Sequence, residues 1–507
     1  MDTNVHRGTR IAKNTLILYV RMLVLLLVGL YTSRVVLQSL GENDYGVYNV
    51  IGGVVAMFGI ISGALNSAIS RFITFEMGKG DGAQLNKIYS TAVTIQLILA
   101  VIVVALAEPI GIWFINNKMT ILPERIPAAH WVLHFSLLAF VVNLMSVPQM
   151  ASITAHEKMS AYASIGILDG FLRLAVAVAI VHSPGDALVF YAALMALVVI
   201  IVRVAYGVYC RRNFPECRYR PVYDRSLIKE MFSFAGWNFI GVTSGVAREQ
   251  GGNILVNLFT NTTAVNAARG IAVQLNGAVQ GFVTNFMTAV NPQITKSYAV
   301  GDRTYMFSLV RKSSRMSFYM LLVLALPILF NTEYVLGLWL KDVPAHTVLF
   351  VQLYLIFALS ESLSNPMITA MLATGKIRNY QLIVGGLQIL NLPLSYACLK
   401  LGAIPEVTVI VAIVMSQICL FARTVMLSNA TGFSKKQFFK DVYFKVVFII
   451  VPLVIWVPFV LEFYKPAGFI GFLTSSGICM LWTLIMIYCV GLSSDERQML
   501  KGIIRRK

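Results

Sequence analysis

Long apolar runs separated by short polar turns recur along the whole 507-residue chain. A helix needs roughly 20 apolar residues to cross a bilayer. The chain is 57% hydrophobic and 13% charged, whereas a soluble domain has roughly 25% charged residues. These patterns predict an all-α polytopic membrane protein without a cleavable signal peptide. The predicted transmembrane helices number about fourteen, at about 15–39, 46–74, 86–107, 128–152, 159–182, 186–209, 232–258, 264–291, 314–339, 347–371, 380–400, 405–428, 442–462 and 467–491.

The basic residues fall mainly on one side of this predicted topology. With the N-terminus placed inside, 29 of the 41 Lys and Arg residues lie in inner segments, 5 lie in outer segments, Lys341 and Lys465 among them, and 7 lie within spans. Positive charge accumulates on the cytoplasmic side of membrane proteins. The sequence therefore predicts that both termini are cytoplasmic. The membrane topology then explains the net charge of +18, and this charge does not indicate a nucleic-acid partner.

An internal repeat supports this arrangement. The segment PQMASITAHEKMSAY ends at Tyr162 near the inner end of the fourth span, and PMITAMLATGKIRNY ends at Tyr380 near the inner end of the tenth. Chance similarity between apolar helices is the alternative, but the spans are equivalent in order and in membrane side. We predict two parallel six-helix repeats, in lobes 1–209 and 230–430. A cytoplasmic linker, 210–229, joins them, and 431–507 adds two helices and a basic cytoplasmic tail.

Nothing in the sequence predicts catalysis, so we do not expect an enzyme. No Walker loop is present. His130 and His134 lie four residues apart but have no evident acidic or cysteine partner. We expect no metal and no cofactor.

Arginines inside the predicted spans are the most informative residues. A charge at membrane depth is costly and usually faces a bundle interior or a watery cavity, although an arginine near a span end can snorkel to the headgroups. Both alternatives stay open for Arg21 and Arg34, and we expect Arg423, near an inner end, to snorkel. The guanidinium group matches phosphate oxygens. A cavity holding Arg21, Arg34, Arg248 and Arg269 is therefore predicted to attract an anion.

The acidic and amide residues inside the predicted transmembrane helices suggest further roles. Asp169 and Arg173, four residues apart, form either a neutralised packing pair or part of an ion-coupling site. Glu361 either binds a proton or sodium ion or is a packing residue. The span amides either line a wetted wall suited to sugar hydroxyls or hydrogen-bond neighbouring helices. The amides predicted to contact a glycan are Asn253, Asn257, Gln274 and Asn276.

The opening of the chain resembles a known family. Arg34 is followed by LGENDYGVYNV and then by GGVVAMFGIISGALNSAISRFITFEMGKGD. These stretches resemble the polysaccharide-transporter branch of the multidrug/oligosaccharidyl-lipid/polysaccharide (MOP) exporter superfamily, which is MATE-like in fold, and in particular the Wzx-like O-antigen and lipopolysaccharide flippases. The resemblance covers nearly the whole chain, including two six-helix repeats and two extra C-terminal helices.

The resemblance implies a flippase of the bacterial inner membrane. It would move an undecaprenyl-diphosphate-linked oligosaccharide, such as an O-antigen or capsule repeat unit, from the cytoplasmic to the periplasmic leaflet by alternating access. Membrane lipids, a coupling proton or sodium ion, and a polysaccharide polymerase with its assembly proteins are the implied partners. A cation-coupled multidrug exporter of the same superfamily is the alternative, and a non-transport scaffold is a weaker one.

Geometry separates the two arginines of the first span. They are 13 residues apart, which is ~20 Å of rise and ~140° around a helix. They cannot hold one diphosphate from one face of a regular helix. We therefore expect Arg21 at an inward-open headgroup site and Arg34 at the outer gate or interface.

Overall fold

The computed structural model describes residues 2–119, 121–183, 185–260, 263–340, 342–463, 468–493 and 496–498. Helices occupy all fourteen predicted places, and the described part contains no strand. The all-α prediction is therefore confirmed. Lys341, Lys465 and the end of the basic tail, 499–507, lie outside the described residues.

The backbone groups into two compact units, Met1–Val242 and Thr243–Lys507, with the boundary inside one helix. The first unit and the boundary helix comprise α1 Asp2–Met57, α2 Gly59–Lys79, α3 Gly82–Asn117, α4 Ile126–Ala155, α5 Met159–Ala179, α6 Ala187–Asn213 and α7 Arg225–Thr260. The second unit continues with α8 Thr263–Ala299, α9 Arg303–Phe330, α10 Thr332–Trp339, α11 Thr347–Ser362, α12 Asn365–Ala373, α13 Arg378–Ile389, α14 Asn391–Lys400, α15 Val407–Thr431, α16 Lys435–Phe438, α17 Phe444–Phe463 and α18 Gly468–Met486. The proposed division into lobes 1–209 and 230–430 stays a prediction.

The predicted count of fourteen crossings is not confirmed. Among the described residues, ten helical segments are long and apolar enough to cross a membrane. An eleventh crossing is possible if Asn43–Val55 and Gly59–Lys79, bent by 52°, form one broken span. The polar helices α7 and α8 account for part of the difference, because their charged and amide residues lower their hydropathy.

In the first unit, α1 packs along α5, and α4 packs against α3 and α6. The helix α1 is interrupted at Gly41, where φ is 74° and ψ is 170°. A side chain strongly disfavours this backbone conformation. The Leu-Gly-Glu-Asn-Asp-Tyr-Gly motif is therefore the place where the first helix ends and the bent second span begins.

Arg125 joins this motif to two other elements. Its Nε donates to Asp44 Oδ1 at 2.8 Å, and its Nη2 pairs with the same carboxylate. Its Nη1 lies 2.5 Å from Asp186 Oδ2. Asp186 also caps α6, since its Oδ1 accepts from the backbone N–H groups of Leu188 and Val189. One guanidinium thus links the helix just after the Gly41 break in α1, the start of α4 and the start of α6.

In the second unit, α8 packs against α9, α11 and α12, and α15 packs against α11 and α13. The helix α18 packs on α9. The buried Arg315 of α9 strengthens this contact, because its Nη2 donates to Glu496 Oε1 at 2.8 Å and its Nη1 to the Asp441 carbonyl at 3.2 Å. The two C-terminal helices are therefore fastened to the unit by charge-assisted bonds as well as by apolar packing.

The Arg125 bridge gives a stability prediction. Replacing Arg125 by Gln leaves the largely buried Asp44 without its cation, so we expect a loss of about 1–3 kcal/mol. Thermal unfolding of the purified protein in detergent should show a lower midpoint. Lys118→Gln, which removes an exposed charge just after α3, serves as the control and should leave the midpoint unchanged. Equal midpoints for both variants would show that the bridge contributes no stability.

Candidate functional site

Three of the predicted residues, Arg248, Arg269 and Glu361, come together in the second unit. Arg269 of α8 is 4% exposed. Its Nε donates to the Tyr354 hydroxyl of α11 at 2.9 Å, and its Nη2 donates to the Glu249 carbonyl of α7 at 3.0 Å. The Tyr354 hydroxyl in turn donates to Glu249 Oε1 at 3.2 Å. The result is a closed triangle of Arg, Tyr and Glu linking three helices.

Arg248 takes a different direction from its neighbour Glu249, as adjacent helical positions require. Its guanidinium lies 4.7 Å from the centre of the Phe357 ring on α11, within cation–π range. It also lines a cavity of about 110 Å³. The other polar residues of the cavity wall are Gln280, Thr284, Glu361, Ser362 and Asn365.

Glu361 lies in the same cavity wall, beside a second, fully buried arginine. Arg423 Nη1 is 3.7 Å from Glu361 Oε1, and Arg423 Nε donates to the Tyr380 hydroxyl at 3.3 Å. The Arg423 side chain is 2% exposed. The prediction that Arg423 snorkels is therefore wrong. Its head group stays inside because a carboxylate and a phenol compensate the charge.

Gly252 on α7 makes room for the Arg269 triangle. A Cβ added at this position would lie 2.9 Å from Arg269 Nη2 and 3.1 Å from its Nη1. The guanidinium would have to leave its hydrogen-bonding position. The glycine at this position of α7 thus permits the close approach of a charged side chain.

Arg21 belongs to the first unit. Its guanidinium carbon is 4.7 Å from the centre of the Tyr162 ring on α5. A Cβ at Gly166 would overlap Arg21 Nε. Arg21 therefore packs against the interior face of α5, and its Nε is buried without a hydrogen bond among the described residues.

The other charged residues that the sequence analysis singled out in this unit lie on α1 and α5. Arg173 Nε donates to both carboxylate oxygens of Asp169, at 3.0 and 3.1 Å. This geometry matches the neutralised pair, and a role in ion coupling stays a prediction. Arg34 is exposed on α1. Since Arg21 and Arg34 belong to one unit and Arg248 and Arg269 to the other, a single cavity for all four also stays a prediction.

The predicted amides are partly engaged with one another. Asn266 Nδ2 donates to Asn253 Oδ1 at 2.7 Å, and Asn257 Nδ2 donates to Asn266 Oδ1 at 3.3 Å. These contacts join α7 to α8, as the helix-packing alternative requires. Gln274 is exposed and Asn276 is half-buried. Contact of these residues with a glycan stays a prediction.

Three residues of this site were missed by sequence reasoning, namely Tyr354, Phe357 and Tyr380. Only Tyr380 carried a signal, because the repeat aligns it with Tyr162, which also contacts an arginine. The two α11 aromatics stand in an apolar run and are indistinguishable there from packing residues. Their role depends on which side chain a neighbouring helix presents to them.

The fold has clear structural relatives. A point mutant of a MATE transporter superposes with a TM-score of 0.73 at 12% identity, covering 84% of this chain and 97% of that one. An outward-facing multidrug resistance MATE family transporter of the MOP superfamily gives 0.73 at 13%, covering 84% and 96%. A MOP superfamily transporter from Pyrococcus furiosus gives 0.71 at 13%, also covering 84% and 96%. No curated protein sequence matches.

The helical composition and the apolar helices of membrane-crossing length define a multi-pass membrane protein, and its fold is that of the MATE transporters. The sequence pattern of the family described as "Polysaccharide biosynthesis protein" matches residues 11–298, more than half of the chain. The chain belongs to that family. The resemblance noted in the sequence is thereby confirmed.

The Gly252 contact gives a prediction with a matched control on the same helix. Gly252→Ala should destabilise the protein by about 1–3 kcal/mol, because Arg269 loses its bonds to Tyr354 and Glu249. Gly245→Ala should be neutral or stabilising, because a Cβ there meets nothing within 4 Å and alanine favours helix. Thermal unfolding in detergent compares the two.

A double variant, Gly252→Ala with Arg269→Ala, tests the assigned cause. If the clash with Arg269 is responsible, the two changes should be strongly non-additive. Additive losses would mean that Gly252 is required for another contact.

Proposed function

We propose that this protein is a flippase for undecaprenyl-diphosphate-linked oligosaccharide, such as an O-antigen or capsule repeat unit. It moves the substrate from the cytoplasmic to the periplasmic leaflet of the bacterial inner membrane by alternating access. Membership of the polysaccharide biosynthesis family and the MATE-like fold support transport of a polysaccharide precursor. The Arg248 guanidinium in the cavity wall supports an anionic head group.

The observation that carries the proposal is that Arg248 differs from the two neighbouring arginines in its ion-pair partners. Arg269 and Arg423 each have a carboxylate oxygen within 4 Å, from Glu249 and Glu361. Arg248 has none among the described residues, and its ring contact with Phe357 uses only one face of the guanidinium. Its N–H groups therefore remain available to a ligand. A phosphate oxygen pair is the acceptor that fits this planar fork best.

We propose different binding places for the phosphate, the glycan and the lipid tail, on the basis of the size of the cavity. A volume of about 110 Å³ corresponds to roughly three or four water molecules, which suits a phosphate group but not a sugar chain. The glycan would then lie along the amides of α7 and α8, of which Asn253, Asn257 and Gln274 are exposed. The lipid tail would stay in the membrane.

Pocket charge is a reasonable guide to ligand class on this fold. For the Pyrococcus furiosus relative, a binding pocket of reverse polarity is stated to suggest a different function. The Arg248 guanidinium in the cavity wall follows the same logic toward an anion. Arg21, against Tyr162 in the first unit, is proposed to contact the diphosphate in the inward-open state, and Arg34 to act at the outer gate.

A multidrug exporter is the second candidate, and Glu361 favours it. A carboxylate in the wall of the cavity attracts organic cations and is also a candidate site for a coupling proton or sodium ion. Asp169 with Arg173 is the other coupling candidate.

On the flippase proposal, a polysaccharide polymerase and its assembly proteins receive the product on the periplasmic side.

Arg248 variants distinguish the candidates. Arg248→Gln should reduce flipping of a diphosphate-linked oligosaccharide in proteoliposomes by about 30-fold or more, the scale of losing one desolvated charge-pair partner. Arg248→Lys should fall between this variant and the wild type, because it keeps the charge but loses the fork. Surface polysaccharide in a deletion strain should follow the same order.

Lys400→Gln provides the control, since it removes one exposed charge from the same unit. It should flip substrate normally. Intact surface polysaccharide with Arg248→Gln, together with altered drug or dye sensitivity, would contradict the flippase proposal and favour the exporter.

A further inference from the structure

The connection between α6 and α7 is fixed along α3 by four hydrogen bonds to three α3 residues. We name residues 214–220 the strap. Asn86 Nδ2 donates to the strap carbonyls of Glu216 and Arg218, both at 2.8 Å. The Arg220 backbone N–H donates to Ser90 Oγ at 3.1 Å, and the Tyr219 hydroxyl is 3.3 Å from Thr94 Oγ1.

These α3 residues follow helical spacing. Asn86, Ser90 and Thr94 are each four residues apart, so they lie on one face of the helix. The strap therefore runs along α3 for about 12 Å. The buried Phe214 and Cys217 hold its first half against the unit.

The upper end of the strap coincides with the start of the lipid-facing surface. Leu97, only three residues beyond Thr94, begins a set of exposed apolar side chains on α3 that continues through Val101, Leu106 and Ile110. An exposed apolar stripe on a membrane-crossing helix faces hydrocarbon. Since α3 has 36 residues, its length of ~54 Å exceeds the ~30 Å hydrocarbon core. The strap consequently lies at the level of the lipid headgroups.

The strap region presents positive charge at this level. Arg211 and Arg212 at the end of α6 and Arg218 and Arg220 in the strap are all exposed. Tyr219 and Tyr223 are 49% and 82% exposed. Tyrosine is enriched where a membrane protein crosses the headgroup layer.

The acidic residues nearby are occupied. Glu216 Oε1 lies 2.5 Å from His156 Nε2, and the His156 ring stacks on Phe214 with centroids 3.9 Å apart. Burial raises the pKa of Glu216, but hydrogen bonding, with His156 foremost, outweighs burial, so the net shift of this pKa is downward. Asp224 caps α7 by accepting from the N–H groups of Ser226 and Leu227. These two carboxylates have partners other than the arginines.

We propose that the strap is a binding surface for the headgroups of anionic phospholipids such as phosphatidylglycerol. The arginines attract the lipid phosphates, and the tyrosines hold the segment in the interfacial layer. All four guanidinium groups belong to exposed residues. This arrangement fits several mobile headgroups better than one discrete substrate. The proposal is independent of the transported substrate.

Lipid binding to the purified full-length protein tests it. Arg218→Gln with Arg220→Gln keeps the strap in place, because the contacts to α3 come from the backbone at both positions. Binding of phosphatidylglycerol, measured by native mass spectrometry in detergent, should weaken about fivefold for each arginine removed. Arg218→Lys with Arg220→Lys should restore most of the affinity, and phosphatidylcholine binding should not change.

Lys435→Gln with Lys436→Gln is the matched control, since it removes two exposed basic charges from another segment. It should bind phosphatidylglycerol like the wild type. An equal loss in this control would show a non-specific charge effect and overturn the proposal. Unchanged lipid binding in the strap variant would also overturn it. So would a result in which the strap variant loses a co-purifying protein but keeps its bound lipid. Competition by free diphosphate but not by phosphatidylglycerol vesicles would assign the surface to a soluble anion instead.

Discussion

Compensation of buried guanidinium charge is the constraint on which both units depend. An arginine inside a helical membrane protein is tolerated only when acceptors, carboxylates or aromatic faces replace its hydration. Arg269 has Tyr354 and Glu249, Arg423 has Tyr380 and Glu361, and Arg315 has Glu496. Each of these arrangements joins helices that are distant in sequence. The charges therefore determine which helices must remain adjacent as well as which ligands the cavity attracts.

The two repeats meet this constraint in different ways. Tyr162 and Tyr380 occupy equivalent positions in the repeated segment, and both contact an arginine. In the first unit the arginine is Arg21, from the first helix, and its guanidinium lies over the ring. In the second it is Arg423, from α15, and it bonds the hydroxyl. The tyrosine position is thus common to both repeats, whereas the helix that supplies the cation is not. Only the first arrangement places the arginine on a helix that begins its repeat.

Helix positions were predictable because apolar runs and polar turns are local signals, and the family resemblance rested on a contiguous motif around Gly41. The number of membrane crossings was harder to predict, because α7 and α8 carry enough polar residues to fall below the hydropathy of ordinary membrane helices. Within the site, Arg248, Arg269 and Glu361 were identifiable because charge is rare in spans. Tyr354 and Phe357 were not, because an aromatic residue in an apolar run gives no sign of its partner. The error for Arg423 has the same origin: position along a helix indicates the distance to the headgroups, but only the fold reveals the nearby Glu361 and Tyr380.

The contacts between Asn86, Ser90 and Thr94 and the strap also constrain how this gene can change. Asn86 and Ser90 hold the strap backbone at Glu216, Arg218 and Arg220, so inserting or deleting a single residue between Glu216 and Arg220 would shift the Ser90 contact out of register. Beyond Arg220 no such matching is found until Asp224 caps α7 in the described chain. Recombination between related transporters should therefore be tolerated at 221–223 and be selected against a few residues earlier. The connection between α6 and α7 therefore has a short permissive segment and is not uniformly tolerant of change.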